Sequence, residues 1–171
     1  VDKSKALLAE AGYADGFDLD FYCQTGQTYE EVATILQAQL ADVGINLNVI
    51  TMESNTINEK VYSGEEIPIR MGFYNNLCGD VDLVMQKLLP SAYGQVYFND
   101  EVEELMNEAR SKTDASERQK VYDKFWDLMA EDVPWITIYY EETMIGRSNK
   151  VDGFKLNPVG AHQLKTVAVY E

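Results

Sequence analysis

Residues 67–89, IPIRMGFYNNLCGDVDLVMQKLL, decide the fold. Ile67, Ile69, Met71 and Phe73 recur at every second position, the period of a strand with one buried face. A polar turn follows, Tyr74-Asn75-Asn76-Leu77-Cys78-Gly79, and Asp80-Val81-Asp82 then opens a helix-like run with Leu83, Val84, Leu88 and Leu89. In open α/β sheets, ligands sit beyond the carboxyl ends of the strands, where the next loop and helix N-terminus present unpaired backbone N–H groups. Two amides, an acid and a cysteine stand at that place. The stretch therefore reads as one wall of a ligand cleft.

Upstream, residues 2–11 read as helix, stopped by Gly12 and the Asp15-Gly16 turn pair. Phe17, Leu19, Phe21 and Cys23 alternate with polar or half-polar neighbours and predict a first strand. Thr28, with Glu31 three residues on, has the spacing of a capping box, worth about 1 kcal/mol. It precedes Val32, Ile35, Leu36, Leu40 and Val43 at helical spacing, and Gly44 ends the run. Residues 45–50 alternate again. Thr56 and Glu59 repeat the cap pattern ahead of a shorter helix stopped by Gly64. The order α-β-α-β-α-β calls for parallel strands joined by right-handed crossovers, with the first strand between the second and third.

Downstream, Pro90 and a tyrosine-rich loop lead to Asn99 or Asp100, which is expected to cap a helix reaching Lys112. Its apolar stripe is Val102, Leu105, Met106 and Ala109. Asp114, with Glu117, caps a second long helix to Glu131 carrying Val121, Tyr122, Phe125, Leu128 and Met129. Both stripes read as core. Residues 133–140 are apolar at nearly every position and predict a strand covered on both faces. From 143 onward the texture changes to short extended pieces, at 143–147, 154–156 and 164–169, with no accompanying helix. These have the look of strands borrowed by another sheet.

The bulk numbers exclude several classes. At 171 residues the chain can bury a real core. No apolar run approaches the roughly 18 residues of a membrane-spanning helix. The formal charge is −15 with only 14 Lys and Arg, so there is no basic face to neutralise nucleic-acid phosphates. The acidity reads as solubility, with a modest steering of cationic ligands as its functional alternative. The first residues already read as helix, with no signal peptide or initiator methionine, so the chain is expected to belong to something longer. Cys23 and Cys78 are open to three readings: two buried thiols, a disulfide, or half a metal site. A zinc site would be short of soft ligands, with one histidine and no C-x-x-C.

Lys5 to Tyr13, followed by Asp15-Gly16-Phe17, resembles the entry to the second lobe of the family 5 extracellular solute-binding proteins. These are the oligopeptide-, dipeptide- and nickel-binding components of ABC importers. Gln37 to Ile45 resembles the family's helix-to-strand junction. Met71-Gly72-Phe73 with Gly79-Asp80-Val81-Asp82 is similar to its Gly-Trp…Asp-Pro-Asp stretch. Asn99 to Val102, Ala115 to Arg118, Val133 to Ile136 and Val151 to Phe154 fit too, in the right order over almost the whole chain. The resemblance covers only the C-terminal part of a family member. It implies a type II periplasmic-binding-protein-like α/β lobe in residues 1–142, mainly parallel sheet flanked by helices. Residues 143–171 would then be an extended tail returning to the absent first lobe.

The same resemblance implies a function. The chain would help capture a peptide or similar small polar solute between two lobes, without enzymatic activity or cofactor, and deliver it to a membrane permease. The setting would be extracellular or periplasmic, with membrane anchoring through an absent N-terminus. At the strand ends Gln24, Gln27, Tyr74, Asn75, Asn76 and Asp80 would meet the ligand, since amides and a phenol both donate and accept. Peptide-binding members often place an aspartate shortly after the Gly-Trp to pair with a ligand ammonium. Here Asn75-Asn76 stands there, leaving Asp80 as the substitute acid or a different solute as the ligand. An extracellular setting also favours a disulfide between Cys23 and Cys78, worth roughly 4 kcal/mol in the chain-entropy model.

Two other functions are weighed. Asp80-Val81-Asp82 is a D-x-D, the pattern by which sugar-nucleotide transferases hold a divalent cation. It arises often by chance in so acidic a chain, however, and it sits where a helix begins, so N-terminal capping explains it. An effector-sensing regulatory domain shares the topology but needs an attached output module. His162 has no visible nucleophile or orienting partner, which leaves nucleophilic catalysis without a base.

Overall fold

The first strand, β1 (Phe17–Gln24), lies between β2 (Ile45–Met52) and β3 (Ile69–Arg70), both parallel to it. The order β2-β1-β3 is the one expected from the crossovers. Phe17 pairs with Ile45 and Gln24 with Met52 along the full length of β1, and Phe21 pairs with Ile69. The computed structural model describes residues 1–74, 76, 79–86, 97–157, 162 and 164–171, without the side chain of Gln27. The chain forms two compact units, Val1–Phe73 and Tyr74–Glu171.

In the first unit the sheet is joined by α1 (Asp2–Glu10), α2 (Gln27–Ala41) and α3 (Ser54–Ser63). Alternation along β1 and β2 sends Phe21, Cys23 and Leu47 into a core closed by Ala33 of α2. Asp18 and Asp20 point to the other face and accept hydrogen bonds from Asn46 Nδ2 and Asn48 Nδ2, at 2.8 and 2.7 Å. The entry to β1 depends on Gly16. Its φ is +76°, and a Cβ there would lie 1.9 Å from the Gly44 carbonyl oxygen. That carbonyl accepts the Phe17 N–H, so strand start and helix-to-strand junction are pinned together.

Both predicted caps in this unit move. The N-cap of α2 is Gly26 rather than Thr28, and Glu30 rather than Glu31 reaches back to the cap N–H, at 3.4 Å. The N-cap of α3 is Glu53, so Thr56 lies inside the helix. At these boundaries the flanking backbone, not the best capping side chain, sets where the helix begins. β3 is shorter than the expected 67–73. Pro68 has no N–H to give and Gly72 no side chain to pack, and the ladder ends with the Met71 N–H on Tyr22 O at 2.8 Å.

Cys23, one half of the expected disulfide, is a free thiol. Cys23 is fully buried on the α2 side of the sheet, where a small apolar group is what the core takes. Burial, and secondarily the nearby Glu30 carboxylate, push its thiol pKa up. Cys78 lies outside the described residues.

The second unit is built on α4 (Val81–Met85), α5 (Asp100–Ser111) and α6 (Ala115–Asp132). Met85, the predicted stripe of α5, and Val121, Tyr122, Phe125 and Met129 of α6 form one core. The expected caps are made: Asn99 Oδ1 accepts the Glu101 N–H, and Asp114 Oδ1 accepts those of Ser116 and Glu117. The expected strand at 133–140 is not formed. Ile136 is 70% and Tyr140 91% exposed, because an apolar extended segment becomes a strand only where a neighbouring strand supplies its hydrogen bonds. Among the described residues of the tail, only β4 (Val151–Asp152) and β5 (Ala168–Val169) pair, antiparallel. The helix continuation past 86 and residues 93–96 of the tyrosine-rich loop at 93–98 lie outside the described residues.

Candidate ligand-binding site

Asp80 is the centre of the second unit's polar structure. It is the N-cap of α4, and its Oδ1 accepts the Asp82 N–H at 2.9 Å. The helix end that the sequence offered to a ligand is therefore closed by the chain's own carboxylate. Arg118, from the first turn of α6, grips the same group with both fork nitrogens, Nη1 to Oδ2 at 2.8 Å and Nη2 to Oδ1 at 3.0 Å. The Tyr122 hydroxyl donates to Oδ1 at 3.2 Å. The guanidinium also lies over the Tyr122 ring, 5.1 Å from its centre. The Asp82 N–H first, then the Arg118 fork, hold the Asp80 carboxyl below the usual carboxylate range.

Asn76 is tied to the same point. Its Nδ2 donates to the Asp80 carbonyl at 3.0 Å, and its Oδ1 accepts the Asp80 N–H at 3.2 Å. The amide thus braces the turn. Asp82 is matched by Arg110, Nε to Oδ1 at 2.7 Å and Nη2 to Oδ2 at 3.1 Å, with Gln86 Nε2 also donating to it. Burial works against the Asp82 carboxylate, but these donors outweigh it and lower its pKa.

A shallow depression of about 360 Å³ lies among Asp80, Asp82, Leu83, Gln86, Arg110, Lys112 and Arg118. Its three cations face acids: Arg118 with Asp80, Arg110 with Asp82, and Lys112 with Glu108 at 3.5 Å. The D-x-D carboxylates are thus engaged by arginines, and among the described residues no group of three or more His, Cys, Asp or Glu is arranged to hold a metal.

What this part of the second unit leaves exposed is aromatic. Tyr74 is 55% exposed and its ring lies 5.5 Å from that of Trp135, tilted by 43°. Trp135 packs on the helical core. It is reached through Val133, whose φ of +46° ends α6.

The predicted site residues therefore have different fates. In the second unit Tyr74 is open, while Asn76 and Asp80 are spent on holding the turn. Asn75 is outside the described residues. In the first unit Gln24 ends β1, half-buried, and Gln27 opens α2 with its side chain undescribed. Sequence reasoning missed Arg118, Tyr122 and Arg110. Arg118 had a signal: it falls on the same helical register as Val121, Tyr122, Phe125 and Met129, and a cation on a core-facing stripe needs an acid to meet it.

A family model described as bacterial extracellular solute-binding proteins, family 5 Middle, matches residues 1–95. Among curated relatives, heme-binding protein A of Haemophilus influenzae is 29% identical over 98% of this chain and 32% of that protein. The dipeptide-binding protein of Escherichia coli is 26% identical over 98% of this chain and 33% of that protein. A dipeptide-binding protein from a Pseudoalteromonas species, solved with Met-Leu, covers 99% of this chain and 35% of its own at 25% identity, with a TM-score of 0.79. A periplasmic binding protein of Helicobacter pylori, solved with a peptide, shares the fold at 23% identity with a TM-score of 0.85, over 99% of this chain and 34% of its own. The chain spans about a third of the length of the relatives it matches.

Proposed function

Since the chain belongs to the family 5 bacterial extracellular solute-binding proteins, we propose that it forms the second lobe of the capture component of an ABC importer. The observation that carries this is the parallel β2-β1-β3 sheet, which lies wholly within the matched residues 1–95. Residues 1–142 are assigned to the lobe and 143–171 to the chain's return toward the first lobe. Capture works by closure: only when two lobes meet are the solute's contacts complete, so the solute lowers the energy of the closed state.

The solute is a peptide or another small polar molecule, as in the dipeptide-binding relatives. Tyr74, with Trp135 behind it, gives it an aromatic surface. Gln24, Gln27 and Asn75 are assigned as amide contacts. Asp80 does not take a ligand ammonium, because Arg118, Tyr122 and the Asp82 N–H already occupy its carboxylate. The protein works outside the cytoplasm, held near a permease by a membrane anchor that precedes this chain.

Uptake tests the reading. A strain lacking the reading frame is expected to lose import of one class of di-, tripeptide or comparable polar solute, and the intact frame to restore it. Unchanged uptake across such a panel would overturn the proposal.

A further inference from the structure

The ionic contact at Asp80 and the aromatic contact at Tyr74 are both made to the α6 segment, one at each end. Near its start Arg118, and one turn later Tyr122, hold the Asp80 carboxylate. Just beyond its end, past Val133, Trp135 meets the Tyr74 ring. Between the two contacts, Asn76 clasps the backbone N–H and carbonyl of Asp80. The helix between them is well fixed, with a double-bonded cap at Asp114 and Val121, Tyr122, Phe125 and Met129 buried. Tyr74 itself is more than half exposed, so its own burial does little to hold it against Trp135.

We infer that Arg118 is a positioning residue: by gripping Asp80 it holds the turn that keeps Tyr74 against Trp135, and so shapes a ligand surface that it does not itself touch. Calling that surface a ligand wall rests on the proposed function; the mechanical link between Arg118 and Trp135 does not. The fork matters because two parallel N–H···O bonds fix direction as well as distance. The Tyr122 hydroxyl and ring steady the guanidinium and the carboxylate together. Arg118 Nε is buried without a hydrogen-bond partner among the described residues, so the guanidinium is committed to Asp80 through its two terminal nitrogens.

The link is read in the 171-residue chain, with no solute present. The sequence has two tryptophans. Trp126→Phe leaves Trp135 as the sole reporter while keeping a ring beside Phe125. In that background R118Q is expected to shift Trp135 emission to longer wavelength and raise its quenching by acrylamide, with far-UV helicity unchanged. R118K, which keeps the charge but loses the fork, is expected to fall between the parent and R118Q. Y122F, a gentler change that removes one hydrogen bond, is expected to move Trp135 in the same direction by less. A purely structural role for Arg118 would lower the melting temperature and leave native-state Trp135 unmoved; that result would overturn the inference. If R118Q does not fold, R118K and Y122F carry the test, and unaltered Trp135 emission and quenching in both would overturn it equally. None of these outcomes decides the solute-binding reading, which the uptake experiment addresses separately.

Discussion

Cys23 is a free thiol with no exposed surface, set in the core between β1 and α2. Its strand position was legible, because alternation puts it on the same face as Phe21. Its chemical state was not, because a disulfide depends on what meets the sulfur from elsewhere in the fold. With Cys78→Ser leaving one thiol, a chromogenic disulfide reagent is expected to react with Cys23 only after denaturant is added. Immediate reaction in native buffer would contradict its complete burial. Arg118 was also half legible. Its register on the apolar stripe of α6 marked it as needing a partner, but Asp80 is 38 residues away, a distance that local patterning does not bridge. Removing the Asp114 cap by Asp114→Ala is expected to lower the urea midpoint with an unchanged slope. An unchanged midpoint would mean that the two N–H bonds to Asp114 Oδ1 contribute nothing net.

Among the elements, β1, β2, α5 and α6 were readable because their apolar positions repeat at a single period, and each can bury one face locally. The starts of α2 and α3 were not, since several polar residues near each end compete to cap it. The segment 133–140 shows the opposite limit: strong strand composition, yet no strand, because pairing is a property of two segments. Gly16 joins β1 to the end of α2. Gly16→Ala forces a Cβ against the Gly44 carbonyl at positive φ, and a loss of roughly 2 kcal/mol or more is expected. An unchanged thermal midpoint would show that the junction relaxes freely. The helix caps also set the acid response. Asp80 and Asp114 have folded-state pKa values below their ordinary ones, so the unfolded chain takes up protons first as pH falls. Their stabilisation is complete above the unfolded carboxylate range of about 4 and is lost as pH drops through the folded values. Helicity followed by circular dichroism is expected to hold at pH 6 and decline below about pH 4, and a flat profile down to pH 2 would contradict the cap assignments.

The molecule as a whole leaves a run of apolar side chains in the open: Ile136, Ile138, Tyr139, Tyr140, Met144 and Ile145 are all exposed. Exposed apolar side chains concentrated in one segment are an interaction surface or a liability to association. The chain spans about a third of the length of the relatives it matches. The most direct measurement is a pair of calorimetric titrations with the same di- and tripeptide panel. One uses the 171-residue chain and the other the whole reading frame that contains it. The whole product is expected to bind at least one panel solute with a dissociation constant at or below the micromolar range, and the 171-residue chain to bind that solute far more weakly or not at all. Equal affinity in the two would mean that this chain holds a complete site by itself, and the two-lobed account would be wrong.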